Sequence, residues 1–377
     1  MSVNNEHSNL VRLGDYIEIY DVKNIESKDL PFCGINKDKT FMPTVADTNE
    51  LDNSKYKIVK KDVFVFSGMQ TGRDVCIRLA LYEKDDSILV SPAYTTFEVK
   101  DKTVILPEYL FIQFNRFEMD RYGWFLSDGS IRSNLDWNVF CDIMIPLPDI
   151  DTQQELVDTY NGLKVLAEQN EALINPLTEA CQAYIVDCKK KYPEVELGGY
   201  IEVYDVKNNN SQDLPFCGIN KDKTFMPTVA NTNELDNSKY KIVERDVFVF
   251  SGMQTGRDVC IRLALFANNE PILVSPAYTT FVVNDKSLIL PQYLFIHFNR
   301  FEMDRYGWFL SDGSIRSNLD WSEFCRIKIP LPPLEGQQAI VNVYNCAEEA
   351  KKIATEAREK MKTLCPALVQ KAMYYQN

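Results

Sequence analysis

From Leu156 to Cys188, apolar and small side chains recur at alternating steps of four and three: Leu156, Tyr160, Leu163, Ala167, Asn170, Ile174, Leu177, Cys181, Tyr184 and Cys188. The spacing predicts one long helix with a heptad seam of the coiled-coil type, in which Asn170 is the polar member. Alone, such a stripe would more readily fit an ordinary amphipathic helix packed on its own domain. The surroundings favour the seam. The opening IPLPDIDTQQELV at Ile145–Val157 returns as IPLPPLEGQQAIV at Ile329–Val341, and a second Ala-, Glu- and Lys-rich run follows it. The second stripe, Ile340, Tyr344, Ala347, Ala354, Met361, Leu364 and Leu368, is weaker. Pro176 and Pro366 lie inside the two runs, and an interior proline removes a hydrogen bond and crowds the preceding turn. Both helices are therefore expected to break near their C-terminal ends.

The rest of the chain repeats as well. Every residue from Gly14 to Pro148 aligns without a gap to the residue 184 positions later, and 24 of those 135 positions differ. Differences cluster at Tyr82–Ser87 against Phe266–Pro271, as at an exposed hairpin tip. Pro31–Ala46, Asp62–Leu81 and Phe114–Trp137 are untouched, although a recent duplication alone could leave such blocks. Within a copy, alternation predicts short strands at Tyr16–Val22, Asp62–Phe66, Val75–Tyr82, Ile88–Ser91 and Thr95–Val99. A helix is expected over Pro107–Asp120, with Tyr109, Leu110, Ile112, Phe114 and Phe117 as its apolar members. A polar loop at Ser127–Asn134 then leads into a last strand, Phe140–Ile145. The fold class is α+β: two tandem-duplicated mixed α/β heads at residues 1–148 and 193–332, each followed by a long helix, at 149–192 and 333–377.

Composition narrows the class. The 377 residues, 45% hydrophobic and 25% charged, suit globular domains of ordinary size. MSVNNEHSNL is polar and carries no apolar core of a secretory signal, and no run of eighteen apolar residues occurs. A cytoplasmic protein without a membrane partner is expected. The ten cysteines form no CxxC pair, and six of them are three positions counted twice (Cys33/Cys217, Cys76/Cys260 and Cys141/Cys325). Their apolar neighbours read as small buried hydrophobes rather than disulfides or metal ligands. Net charge of −13 argues against a general basic field for nucleic acid, but leaves room for a local one.

A head, then PLP-x-x-x-x-QQ-x-x-V, then a long helix, twice over and ending in LCPALVQKAMYY, resembles the DNA-specificity (S) subunit of type I restriction–modification enzymes. SKYKIV at Ser54–Val59, SPAYTTFEV at Ser91–Val99 and the LPEYLF and DRYGWF runs within Leu106–Phe125 are similar to that family's target-recognition domains. The resemblance covers nearly the whole chain. It implies long helices packed as an antiparallel coiled coil, heads that each read half of a split site in double-stranded DNA, and docking of two DNA methyltransferase (modification) subunits and, through them, restriction subunits. Two departures stand out: Thr152 and Gly336 replace the usual acidic residue before the first Gln, and the chain is unusually acidic.

No catalytic constellation repeats. His7 and His297 are the only histidines, and Gln113 stands where the second copy has His297, which therefore reads as an exposed helix residue. There is no glycine-rich phosphate loop, HExxH, or Asn/Asp-Pro-Pro-aromatic run, so the chain reads as non-catalytic, with no cofactor or metal. For DNA reading, loops must present forked donors and amides to base edges. Two glycine loops qualify. The first carries Gln70, Thr71 and Arg73, repeated as Gln254, Thr255 and Arg257; the second carries Ser130, Arg132 and Asn134, repeated as Ser314, Arg316 and Asn318. Tyr94 and Tyr278 are further candidates for the DNA backbone, and Lys37, Lys39, Lys55 and Lys57 for phosphates. For any single one of these, a solvated loop side chain is the plain alternative. Because both loops repeat unchanged, two equal readers about a two-fold should recognise an interrupted palindrome. A coiled segment of about 25–30 residues, roughly 40–45 Å, would set half-site centres about one DNA turn apart. The competing reading is an acidic decoy or regulatory protein that occupies methyltransferase subunits without reading DNA.

Overall fold

The computed structural model describes residues 10–44, 52–69, 71–130, 133–228, 236–253, 255–315 and 317–374, with Arg73 and 364–374 described by backbone alone. The chain divides into two compact units, Met1–Gln169 with Ile353–Asn377, and Asn170–Lys352. Each unit therefore holds one head and a stretch of both long helices.

In the first unit an antiparallel sheet has the order Ile17–Ile19, Thr95–Val99, Phe64–Ser67, Arg78–Leu81. Phe64 lies opposite Phe97 in register, and their rings stack with centroids 4.8 Å apart. Alternation puts Phe64 and Phe66 on one face, with Phe97, Tyr109, Phe114 and Phe140 in the main core. Val63, Val65 and Ala80 go to a second core, shared with the sheet Phe41–Pro43, Phe32–Ile35, Ile88–Val90, Lys57–Val59. Leu10–Arg12 pairs with Met144–Pro146 and returns the chain to the start of the helix. The second unit repeats this plan, with Phe248 on Phe281 and the antiparallel order Ile201–Val203, Thr279–Val283, Phe248–Ser251, Arg262–Leu265.

The QQ motif has a structural role. Gln153, fully buried, accepts the Leu106 N–H at 2.9 Å and donates to the carbonyls of Val104 and Pro148, at 2.9 and 2.8 Å. Gln337 does the same with Leu290, Leu288 and Pro332. One amide thus fastens the loop before the head's helix to the first turn of the long helix. The second glutamine, Gln154 or Gln338, is exposed.

Several expectations change. The long helices run unbroken over Ile150–Lys191 and Leu334–Tyr374, through both prolines. A proline removes a single N–H bond, and Ala167 and Cys181 bury the helix on either side of Pro176. The seam follows prediction as far as Cys181 and then slips: Ile185 is 1% exposed and Tyr184 50%. An α-helix repeats every 3.6 residues rather than 3.5, so a strict heptad stripe drifts around its surface. In the second unit Cys181, Ile185 and Cys188 share the core with Ile340 and Val341, and Tyr344 and Glu348 face Thr178 and Gln182, so the two helical stretches pack antiparallel. In the first, Leu156, Val157 and Tyr160 join the core, with Met361 against it. The expected helix 107–120 is two helices, Pro107–Phe114 and Phe117–Leu126, because Arg116 is extended (φ −96, ψ 139). Phe117 consequently points outward, 66% exposed. Phe140 belongs to a helical turn, Trp137–Cys141, capped by Asp136, and not to the last strand. No helix among the described residues is long and apolar enough to cross a membrane.

Candidate nucleic-acid interface

The central strand ends at Ser67, and the two glycine loops that follow it are one structure. The Gly68 carbonyl accepts the Leu135 N–H at 2.9 Å and the Thr71 hydroxyl at 2.7 Å, while the Thr71 N–H donates to Ser133 at 3.0 Å. A Cβ on Gly68 would stand 2.0 Å from the Leu135 carbonyl oxygen, so only glycine permits this approach. At Gly72 a Cβ would meet Ser133 Oγ at 2.3 Å and Trp124 Nε1 at 2.9 Å. The helix Phe117–Leu126 is therefore the third side of the site. Gly252, Gly256 and Trp308 repeat the arrangement.

Asp128 shapes the second loop. Its Oδ1 accepts the Ser130 hydroxyl at 2.6 Å, the Asn134 N–H at 2.9 Å and the Ser130 N–H at 3.2 Å. These bonds, led by the Ser130 hydroxyl, hold the carboxyl below the usual range, and Asp312 is held likewise by Ser314 and Asn318. Ser133 and Val75 have φ of 43° and 49°, and Ser317 and Val259 repeat these left-handed values. For a β-branched residue that is a costly conformation, sustained by the packing around it.

The candidate residues divide accordingly. Thr71 and Thr255, each 1% exposed, spend their hydroxyls on the glycine carbonyls and are internal pins instead of base readers. Ser130 and Ser314 are exposed, but their hydroxyl protons are committed to Asp128 and Asp312. Asn134 and Asn318 are exposed, their backbone N–H groups are held by Asp128 and Asp312, and Asn134 Oδ1 lies beside Gly68. Arg257 is 62% exposed and donates through Nε to Asp258 at 2.9 Å, a bond that lowers the Asp258 pKa. Gln70, Arg132, Gln254, Arg316 and the Arg73 side chain lie outside the described residues. Tyr94 and Tyr278 are half-buried against the second core, beside Gly34 and Gly218, away from an open loop role.

Two of the four lysines are structural. Lys39 is 5% exposed and its Nζ lies 2.8 and 2.7 Å from the Asp120 oxygens; Asp120 Oδ1 also accepts the Ile77 N–H at 2.9 Å. Lys223, Asp304 and Ile261 repeat the pair. It ties the Asn36–Thr40 turn to the helix bearing Trp124. Lys57 pairs with Asp21 at 3.0 Å and donates to the Tyr94 carbonyl. Lys37 and Lys55 remain exposed. Sequence reasoning missed Asp128, Trp124 and the outward aromatic face; the unchanged block Phe114–Trp137, which holds all of them, was the available signal.

His297 is not exposed. It is 3% accessible, neither ring nitrogen has a hydrogen-bond partner, and burial, with Arg300 and Lys189 nearby, pushes its pKa down to about 3. It lies in the largely buried helix Pro291–Phe298, beside the rings of Tyr293 and Phe298.

The family profile "Type I restriction modification DNA specificity domain" matches residues 190–352, and the first unit repeats that domain. Residues 190–352 therefore carry a type I restriction modification DNA specificity domain. Its fold is that of the crystal structure of a type I restriction–modification system S subunit from M. genitalium, at 12% identity and TM-score 0.64 over 99% of this chain and 98% of that one. The HsdS subunit from Thermoanaerobacter tengcongensis aligns over 98% and 97% at 16% identity, with a TM-score of 0.43. No curated protein matches the sequence.

Proposed function

We propose that the chain is the DNA-reading and scaffold subunit of a type I restriction–modification complex, that its two heads read equal half-sites of an interrupted palindrome, and that it docks methyltransferase subunits. The observation that carries this is the loop pair: two loops far apart in sequence are locked into one surface, and that surface repeats residue for residue in the second head. Asn134 and Asn318 present amides suited to adenine N6/N7, and Arg257 a fork suited to guanine. The helices set the spacer, so changing both by whole heptads alters the gap and leaves the half-sites alone. Because the chain carries −13 net charge, specific binding requires the partner subunit to supply phosphate contacts.

Sequencing methylated sites in cells that carry this chain with its partner methyltransferase tests the reading. Two like half-sites in opposite orientation are expected. Unrelated half-sites, or one continuous short site, would show the symmetry argument to be wrong. Methylation without any sequence dependence would favour the decoy reading, to which the acidic charge otherwise points.

A further inference from the structure

The contacts that hold the first glycine loop converge on one buried carboxylate. Asp120, Gly123 and Trp124 share a face of the helix Phe117–Leu126, three and four residues apart. Asp120 Oδ1 accepts the Ile77 N–H at 2.9 Å. Ile77 is fully buried and stands two residues past Val75, whose left-handed φ of 49° ends the loop. Between them, the Cys76 N–H returns to the Thr71 carbonyl at 3.3 Å. The Ile77 side chain lies against Gly123, where a Cβ would come within 2.3 Å of its Cγ1, and Trp124 abuts Gly72. One helix face therefore grips the loop at its exit and at its middle. Lys39 reaches the same carboxylate from the Asn36–Thr40 turn, at 2.8 and 2.7 Å. The two side chains are only 4 and 13% exposed. Replacing a pair so deeply buried by apolar groups of like size is often neutral or stabilising, so stability alone does not call for it. What an apolar pair cannot do is accept the Ile77 N–H. Lys223, Asp304, Ile261 and Gly307 repeat the arrangement.

We infer that Asp120, neutralised by Lys39, is a positioning residue for base recognition: through Ile77 it fixes the exit of the first glycine loop, and with it the surface that both loops present to a base edge. Asp304 with Lys223 does the same in the second head. This rests on the DNA-reading role proposed above and adds to it the group that sets the loop's geometry. Base discrimination depends on side chains held in place by their own supporting hydrogen bonds.

The test compares two variants of the full chain that share Lys39→Met. With Asp120→Asn the Ile77 N–H keeps an acceptor; with Asp120→Leu it has none. In hydrogen exchange the Leu variant should exchange about tenfold faster than the Asn variant over Thr71–Ile77, while the strands Phe64–Ser67 and Thr95–Val99 stay protected in both. That pattern separates release of the loop from unfolding of the head. In cells carrying the partner methyltransferase, sequencing of methylated sites should show the Leu variant relaxed in one half-site only and the Asn variant unchanged in both. Equal behaviour of the two variants overturns the positioning role, and so does loss of protection across the strands, which would make the pair a support of the whole head. Asn134→Ala keeps the underlying reading separate. If it relaxes base choice and the Leu variant does not, the positioning role alone fails; if neither alters base choice, the reading role fails with it.

Discussion

The two heads are identical in both glycine loops and differ most at the exposed tip Tyr82–Ser87 and around the last strand. Both loops, the aromatic helix and the buried Lys–Asp pair are unchanged, whereas Gln113 becomes His297, Val139 becomes Glu323, Asp142 becomes Arg326 and Met144 becomes Lys328. The comparison works as an internal control. The loop surface is identical in the two copies, so a difference in behaviour between the heads points to the residues outside it. In the first unit Gln113 Oε1 accepts from Arg116 at 3.3 Å; in the second, Arg300 donates to the His297 carbonyl and the imidazole has no partner.

The largest effect should be the same in both heads. Lys39→Ala or Lys223→Ala strands a buried carboxylate, and each should cost about 3–5 kcal/mol in denaturant unfolding of its unit. Unequal losses would mean that the differing residues reach as far as this pair. Replacing the clamp comes next: Gln153→Leu or Gln337→Leu leaves one N–H and two carbonyls unsatisfied, for about 3 kcal/mol by the same measurement.

The third prediction separates the heads. The His297 pKa is about 3 when folded, below its unfolded value of about 6.5, so the unfolded chain binds the extra proton. Stability contributed by the neutral ring is complete above pH 6.5 and is lost as pH falls, by about 1.4 kcal/mol per unit and about 2 kcal/mol at pH 5. His297→Gln should remove this slope from the second unit and Gln113→His should create it in the first. Identical acid profiles before and after exchange would discard the explanation. In a smaller range, Asn134→Ala should relax base choice in one half-site by about 1–3 kcal/mol of discrimination, read by methylation sequencing. Arg257→Ala should do so in the other half-site, and uniform weakening over all sequences would make Arg257 a phosphate contact. Smallest of all, Asp85→Asn at the variable tip, where the ion pair with Lys61 is exposed, should leave the unfolding midpoint unchanged.

Much of this plan was legible in the sequence because it rests on periodicity and repetition. The duplication, the central strands and the long helices follow from spacing alone. What escaped depends on single backbone angles and on contacts between distant segments. The extended Arg116 rotates the next helix, and that rotation decides that Phe117 and Phe125 face out while Gly123 packs on Ile77. His297 is buried in the preceding helix, as Gln113 is in the first head. The union of the two loops could not be read from either loop, since Gly68 looks like an ordinary flexible glycine until Leu135 is placed against it. Thr71 was a plausible reader by type, and its burial follows from that union.

Val75 and Val259 hold a left-handed angle that a glycine would adopt without strain, at the point where the first loop rejoins its strand. Exchange to glycine would make the head easier to fold and its loop harder to hold. A thermostability screen should therefore enrich glycine at these positions, while a screen for restriction of foreign DNA should return valine.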